Sequence, residues 1–317
     1  IHFDSCVFCC CDLFFFLVVA GSVVVALIVY LTLSDGGAES AIDIKIAQIT
    51  LNHFVIAAVA SEFPLEWPPF LLSFLQAFSV MSASALGESG FSASCALNPK
   101  APVLAWAIFM ICVVLLGLLA WVLFWGVLYR CTKQSRITEL QTSLLVTLFL
   151  LHPSLTKSAL ELLACRTVSG RSFLEANYAV ECDGTGYTPY VVWGTLMLCF
   201  VTLGVPALYF VLMKRETDLT AHRRVYGYLF SGFVERAWYW EVWNAVRKAL
   251  ITACSTLFQS WGVPMQVWSS LGLMMFFLAL FVHVHPYHNP VLNGLELYAL
   301  TADLLTLFLG LGLFNNK

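Results

Sequence analysis
Apolar residues along this chain gather into runs of the length needed to cross a hydrocarbon layer, about 20 residues for a core of roughly 30 Å. Residues 13–33, 102–129, 190–213, 264–284 and 292–314 form such runs. Residues 140–163 and 238–258 fit in length but are polar spans. The first contains His152, Pro153, Lys157 and Glu161, and the second Glu241, Asn244, Arg247 and Lys248. A weaker run, 44–60, is broken by Lys45, Gln48, Asn52 and His53, and either spans as part of a bundle or lies at the interface. Pro64, Pro68 and Pro69 precede an apolar stretch, 70–86, that is short for a crossing. It reads as an interfacial or re-entrant helix on the outer side, with Trp67 at headgroup depth. The pattern predicts an all-α polytopic transmembrane bundle of about eight spanning helices plus that one interfacial helix. A cysteine-rich extracytoplasmic end is expected at 1–12, the bundle over 13–314 and a short tail at 315–317.

Composition excludes the alternatives. Of 317 residues 60% are hydrophobic and 11% charged, against roughly 45–50% and about 25% in a soluble domain. A net charge of −3 gives no basic excess for nucleic acid. Position says more than the sum. Arg130, Lys133 and Arg136 share one short loop, and Lys214, Arg215, Arg223, Arg224 and Arg236 another. Two crossings separate these loops, so they share a face, which the positive-inside rule makes cytoplasmic. Counting outward places the N-terminus and residues 164–187 on the extracytoplasmic side, in a plasma or ciliary membrane. Ile1 stands where a start codon would put Met, which suggests a processed product or a fragment of something longer.

Disulfides persist in oxidising compartments, so Cys165 and Cys182, flanking one short outer loop, make the best pair among the 11 cysteines. Cys6, Cys9, Cys10 and Cys11 have no second CxxC or His pair to complete a zinc site. His283, His285 and His288 are spaced around Pro286 in a way that fits an interfacial loop better than a metal site. No Walker loop, GxGxxG, HExxH or nucleophile elbow appears, so neither enzyme activity nor a cofactor is expected.

Ionisable groups in a bilayer are expensive and need partners. Glu296 and Asp303 are two helical turns apart on one face of the last run. Lys157 and Glu161 are spaced to pair within a helix. Arg247 lies roughly 13 Å along a helix from Trp238. Either the first half of that stretch lies along the surface, or Arg247 and Lys248 need anionic partners. For Asp303 the candidate partners are Arg247, Lys248 and Lys157. Two readings follow: a hydrated cation pathway lined by Asp303 and Glu296 in the field of Arg247 or Lys248, or a buried ion-pair network, with Glu241 and Glu161 in either, that fixes helix register.

Three stretches resemble the transmembrane region of TRP-like, polycystin-related proteins of algae, other protists and fungi. They are Lys45-Ile-Ala-Gln48 through Phe63-Pro-Leu-Glu-Trp67-Pro68; Leu151-His-Pro153-Ser-Leu-Thr156 with Cys165-Arg166, Cys182 and Gly204-Val-Pro206; and Tyr228-Leu-Phe with Tyr239-Trp-Glu241 and Arg247-Lys248. The resemblance runs over roughly residues 43–310 and implies a channel-like bundle, an outer Cys165–Cys182 disulfide and a cysteine-rich, EGF-like region upstream of Cys6. The function it implies is a TRP-like channel or channel-associated subunit. A non-conducting anchor or structural subunit of a larger membrane assembly is the alternative from another class. Only Gln259, Ser260, Trp261, Gly262 and Val263 join the neighbouring spans, too few for a pore loop. Membrane lipids are therefore expected as partners together with further copies of the chain or other membrane subunits.

Overall fold
The computed structural model describes residues 38–65, 67–81, 126, 137–174, 177–215 and 223–315. Helix α1 (Ala38–Glu62) stops at Phe63-Pro64, and α2 (Pro69–Met81) begins on a proline whose missing N–H is unneeded in a first turn. Helix α3 (Ile137–Glu161) leads into an antiparallel meander of β1 (Cys165–Val168), β2 (Arg171–Leu174) and β3 (Asn177–Glu181). Then follow α4 (Thr188–Met197), a π-helical stretch (Leu198–Leu203) and α5 (Gly204–Arg215) as one rod. The chain ends in α6 (Arg223–Phe230), α7 (Trp240–Leu257), α8 (Val263–Val284) and α9 (Pro290–Asn315).

This is an all-α membrane bundle carrying one small sheet that the hydropathy pattern does not reveal. Among the described residues five helical stretches are long and apolar enough to cross a membrane: Ile42–Glu62, Gln141–Glu161, Thr185–Arg215, Val263–Val284 and Pro290–Phe314. The expected spans 13–33 and 102–129 lie outside the described residues, as do the cysteines at 6–11 and the basic loop at 130–136. The polar run 238–258 is helical as α7, an 18-residue helix, but Glu241, Arg247 and Lys248 leave it short of the apolar character of a span. Of the eight expected spans, five are candidate spans among the described residues, two lie outside those residues, and 238–258 alone falls short by composition. Run 44–60 is part of α1, in a stretch long and apolar enough to cross a membrane. The short helix after the prolines is α2, 13 residues long, roughly 20 Å at 1.5 Å per residue, and it packs on α1 with Phe70 and Phe74 exposed.

Side-chain contacts fix the relative directions. Thr156 meets Thr202 and Leu145 meets Tyr209, so α3 and the α4–α5 rod are antiparallel. His53 meets Asp303 while Leu65 and Trp67 lie beside Gly310, so α1 and α9 are parallel. Ser255 meets Gln266 and Trp240 meets Phe281, so α7 and α8 are antiparallel. The disulfide sheet, the turn Phe258–Trp261 against β1, and the end of α1 therefore gather at one end. Lys214, Arg215 and Arg236 lie at the other, the two ends that the charge count assigned to opposite faces.

At the disulfide end α9 leaves no room for a side chain. A Cβ at Gly310 would stand 2.8 Å from Leu65 Cδ1 and against the indole of Trp67. Gly310→Val is expected to lower stability by about 1–3 kcal/mol through overpacking. Thermal unfolding in lipid nanodiscs reads this, with Gly312→Val as the comparison because among the described residues nothing lies within 4 Å of a Cβ at Gly312.

At the basic end two loops are strapped together. Val234 N–H donates to Pro286 O at 2.8 Å and His288 N–H to Gly232 O at 3.0 Å, framing an antiparallel bridge between Phe233 and Tyr287. Gly232 has φ +87°, and a side chain there would meet Lys45 Cγ at 3.0 Å. The position needs glycine on both counts.

Candidate functional site
Three polar residues of α1 fall on its buried side. Lys45, Gln48 and Asn52 are spaced three and seven apart, which stacks them on one face, and all three are buried. On α7 the buried polar residues Glu241, Asn244, Lys248, Thr252 and Ser255 repeat at three- and four-residue steps, with Arg247 beside them. Helices α1, α3, α5 and α8 pack around α7, and α9 reaches it through Glu296, so these faces form the bundle interior.

Ion pairs climb this interior from end to end. At the basic end Lys45 Nζ lies 3.8 Å from Glu241 Oε2 and donates to Tyr228 O at 3.1 Å, with the Phe233 ring centroid 4.1 Å away. Gln48 Nε2 donates to the same carbonyl at 2.8 Å. One level on, Arg247 Nη1 donates to Glu296 Oε1 at 2.9 Å, the two side chains being 3% and 1% exposed. Lys248 has no carboxylate within pairing distance among the described residues, and its Nζ sits 3.7 Å from the Phe149 ring centroid. That cation–π contact suits a charge away from water. Further on, His53 Nδ1 and Asp303 Oδ1 are 2.7 Å apart. At the disulfide end Lys157 lies 2.9 Å from Glu62 and 3.8 Å from Glu161.

The carboxylate stripe of α9 is thus divided. Glu296 goes to Arg247, while Asp303 goes to His53, not to the expected Arg247, Lys248 or Lys157. Lys157 and Glu161 do approach within the helix, but Glu62 of α1 is the nearer partner. Of the two alternatives for 238–258, α7 runs continuously through the stretch and its cations have acidic or aromatic neighbours. Lys45, His53, Glu62 and Tyr228 belong to the ladder although the α9 stripe does not point to them. For Lys45 and His53 the signal is the spacing of polar residues along the weakest apolar run.

Prolines also shape the interior. An α-helical N–H at residue 206 would bond to Thr202 O, but Pro206 has none. His152 Nε2 donates to that carbonyl instead, at 3.2 Å, and Thr202 Oγ1 donates to Thr156 at 3.1 Å. The π-helical stretch ends beside this junction, where such wide turns accommodate a break in the ladder.

Outside the spans, Tyr287 bridges the strapped loops to the ladder, its hydroxyl donating to Glu296 Oε2 at 3.5 Å. Burial, together with the neighbouring carboxylate, pushes its phenol well above the usual value, so it remains a donor. At the opposite end Cys165 and Cys182 are joined in a disulfide that closes the meander, and Leu174, Leu162 and Tyr190 pack beneath it. A disulfide at this end implies an extracellular portion. Among the described residues no three His, Cys, Asp or Glu side chains gather as a metal site.

No protein-family model and no solved structure matches the chain. Over an alignment of 188 residues that covers 50% of the chain, it is 29% identical to the cysteine repeat modular protein A of Toxoplasma gondii. The matched region spans 6% of that protein's length. The chain is a helical membrane protein with a cysteine-rich relative.

Proposed function
We propose that this chain is the membrane-embedded region of a larger cysteine-rich protein, anchoring an outer domain and assembling with membrane partners without conducting ions by itself. The observation that carries this reading is the pairing of both α9 carboxylates inside the bundle, Glu296 with Arg247 and Asp303 with His53. A conducting path needs polar groups free to face a shared wet axis, whereas a scaffold lets them pair off. The small part of the cysteine repeat protein that the match covers is consistent with a module of a much longer chain. The second reading, a TRP-like channel or channel-associated subunit, rests on the three stretches of resemblance and on the alignment of charged pairs from one end of the bundle to the other.

Reconstitution in liposomes separates the two. The chain alone is expected to pass no cations under applied voltage or stretch, and Asp303→Asn is expected to lower its melting temperature while leaving flux absent. A cation current whose selectivity changes with Asp303→Asn would overturn the anchor reading in favour of the channel.

A further inference from the structure
Four side chains between α1, α6 and α7 carry polar atoms that the ladder leaves unused: Gln48 Oε1, both amide atoms of Asn52, Tyr228 Oη and Glu241 Oε1. None makes a well-formed hydrogen bond among the described residues, although the Gln48 side chain stands beside the Tyr228 hydroxyl, and all four residues are 3% exposed or less. They lie close together in the fold. Gln48 and Lys45 both donate to Tyr228 O, Lys45 reaches Glu241, and Asn52 stands one turn beyond Gln48 on the same face of α1. An unsatisfied buried polar group costs about 1–3 kcal/mol, so several together would consume much of a stability of about 5–15 kcal/mol.

We propose that these atoms line an enclosed water-binding chamber in the basic half of the bundle. The donor and acceptor set selects water over an ion. The set holds three acceptor oxygens, a donating amide and a hydroxyl that can do either. An anion would meet the Glu241 carboxylate and two amide oxygens. A cation would compete with the Lys45 ammonium already 3.8 Å from that carboxylate. Water donates and accepts, and a buried water makes about three bonds to such groups. The chamber holds the Lys45–Glu241 pair in a locally wet setting, while Arg247 and Glu296 pair directly.

X-ray hydroxyl-radical footprinting of the full chain in nanodiscs tests this, because radicals born from bound water oxidise the side chains beside it. Tyr209 is the internal control: it is as buried as Tyr228, but its hydroxyl donates to Leu145 O at 3.1 Å. Tyr228 is expected to oxidise at least about fivefold faster than Tyr209, as a residue touching bound water should. Equal rates in the wild-type chain would overturn the chamber, whatever the variants do. Asn52→Leu is expected to bring the Tyr228 rate down toward that of Tyr209. A Leu variant that melts higher with the Tyr228 rate unchanged would mean that Asn52 was buried dry, and the proposal fails.

Discussion
Replacing Arg247 with alanine is expected to cost about 3–5 kcal/mol of stability, the usual penalty for stranding one member of a buried ion pair. Its partner Glu296 is 1% exposed, and its other contact is the Tyr287 hydroxyl at 3.5 Å. Lys248 offers no substitute, since its ammonium lies over the Phe149 ring. A membrane removes the option of leaning into water, so the carboxylate is left buried without its cation or drags the helix toward the interface. The double replacement Arg247→Met with Glu296→Leu should recover most of the loss, because well-packed apolar groups replace buried pairs at little cost. Thermal melting of the three proteins in nanodiscs measures both effects. A single variant within about 1 kcal/mol of wild type would mean that the pair behaves as a surface pair, and the interior drawn above would be wrong.

Removing the disulfide, by Cys165→Ser with Cys182→Ser, is expected to cost about 3 kcal/mol by the loop-entropy relation for a separation of 17 residues. The loss should be local. The meander rests on a small cluster around Leu174, Leu162 and Tyr190, apart from the clusters that hold the helices together. Limited trypsin digestion after Arg166 or Arg171, both on the exposed face of the hairpin, should accelerate in the double variant while the transmembrane fragments stay associated. Cleavage no faster than in the intact chain would show that the cluster alone holds the sheet.

Hydropathy located the helices well because length and apolar content determine what can cross a bilayer. It gave 264–284 and 292–314, where the structure has Val263–Val284 and Pro290–Asn315. It ranked the spans poorly for the same reason, since an average over all faces cannot distinguish a polar side turned inward from a polar break. In α1 the stretch that looked weakest is 56% buried, whereas the plainly apolar α9 stretch is 28% buried. In a membrane helix the polar residues turn inward, so apolar strength tracks lipid exposure and not centrality. The need of Arg247 for an anionic neighbour is legible from its depth in the helix. The choice of Glu296, and of His53 for Asp303, is not, because pairing depends on how α1, α7 and α9 are rotated against one another. The meander escaped notice because its strands are only four or five residues long and its hairpin depends on positive φ at Ser169 and Gly170.

The strap between Gly232–Val234 and Pro286–His288 has a mechanical consequence. Two backbone hydrogen bonds and the Phe233–Tyr287 ring contact, 5.1 Å between centroids, bind the corner before α7 to the corner between α8 and α9. Asn293 fastens the second corner further, exchanging hydrogen bonds with the Tyr287 backbone at 3.2 and 2.8 Å. A pull on α9 from the disulfide end would therefore load the α6–α7 corner in shear, with both bridging hydrogen bonds strained together. The basic end of these helices acts as a fixed truss, and any give under tension lies toward the opposite face.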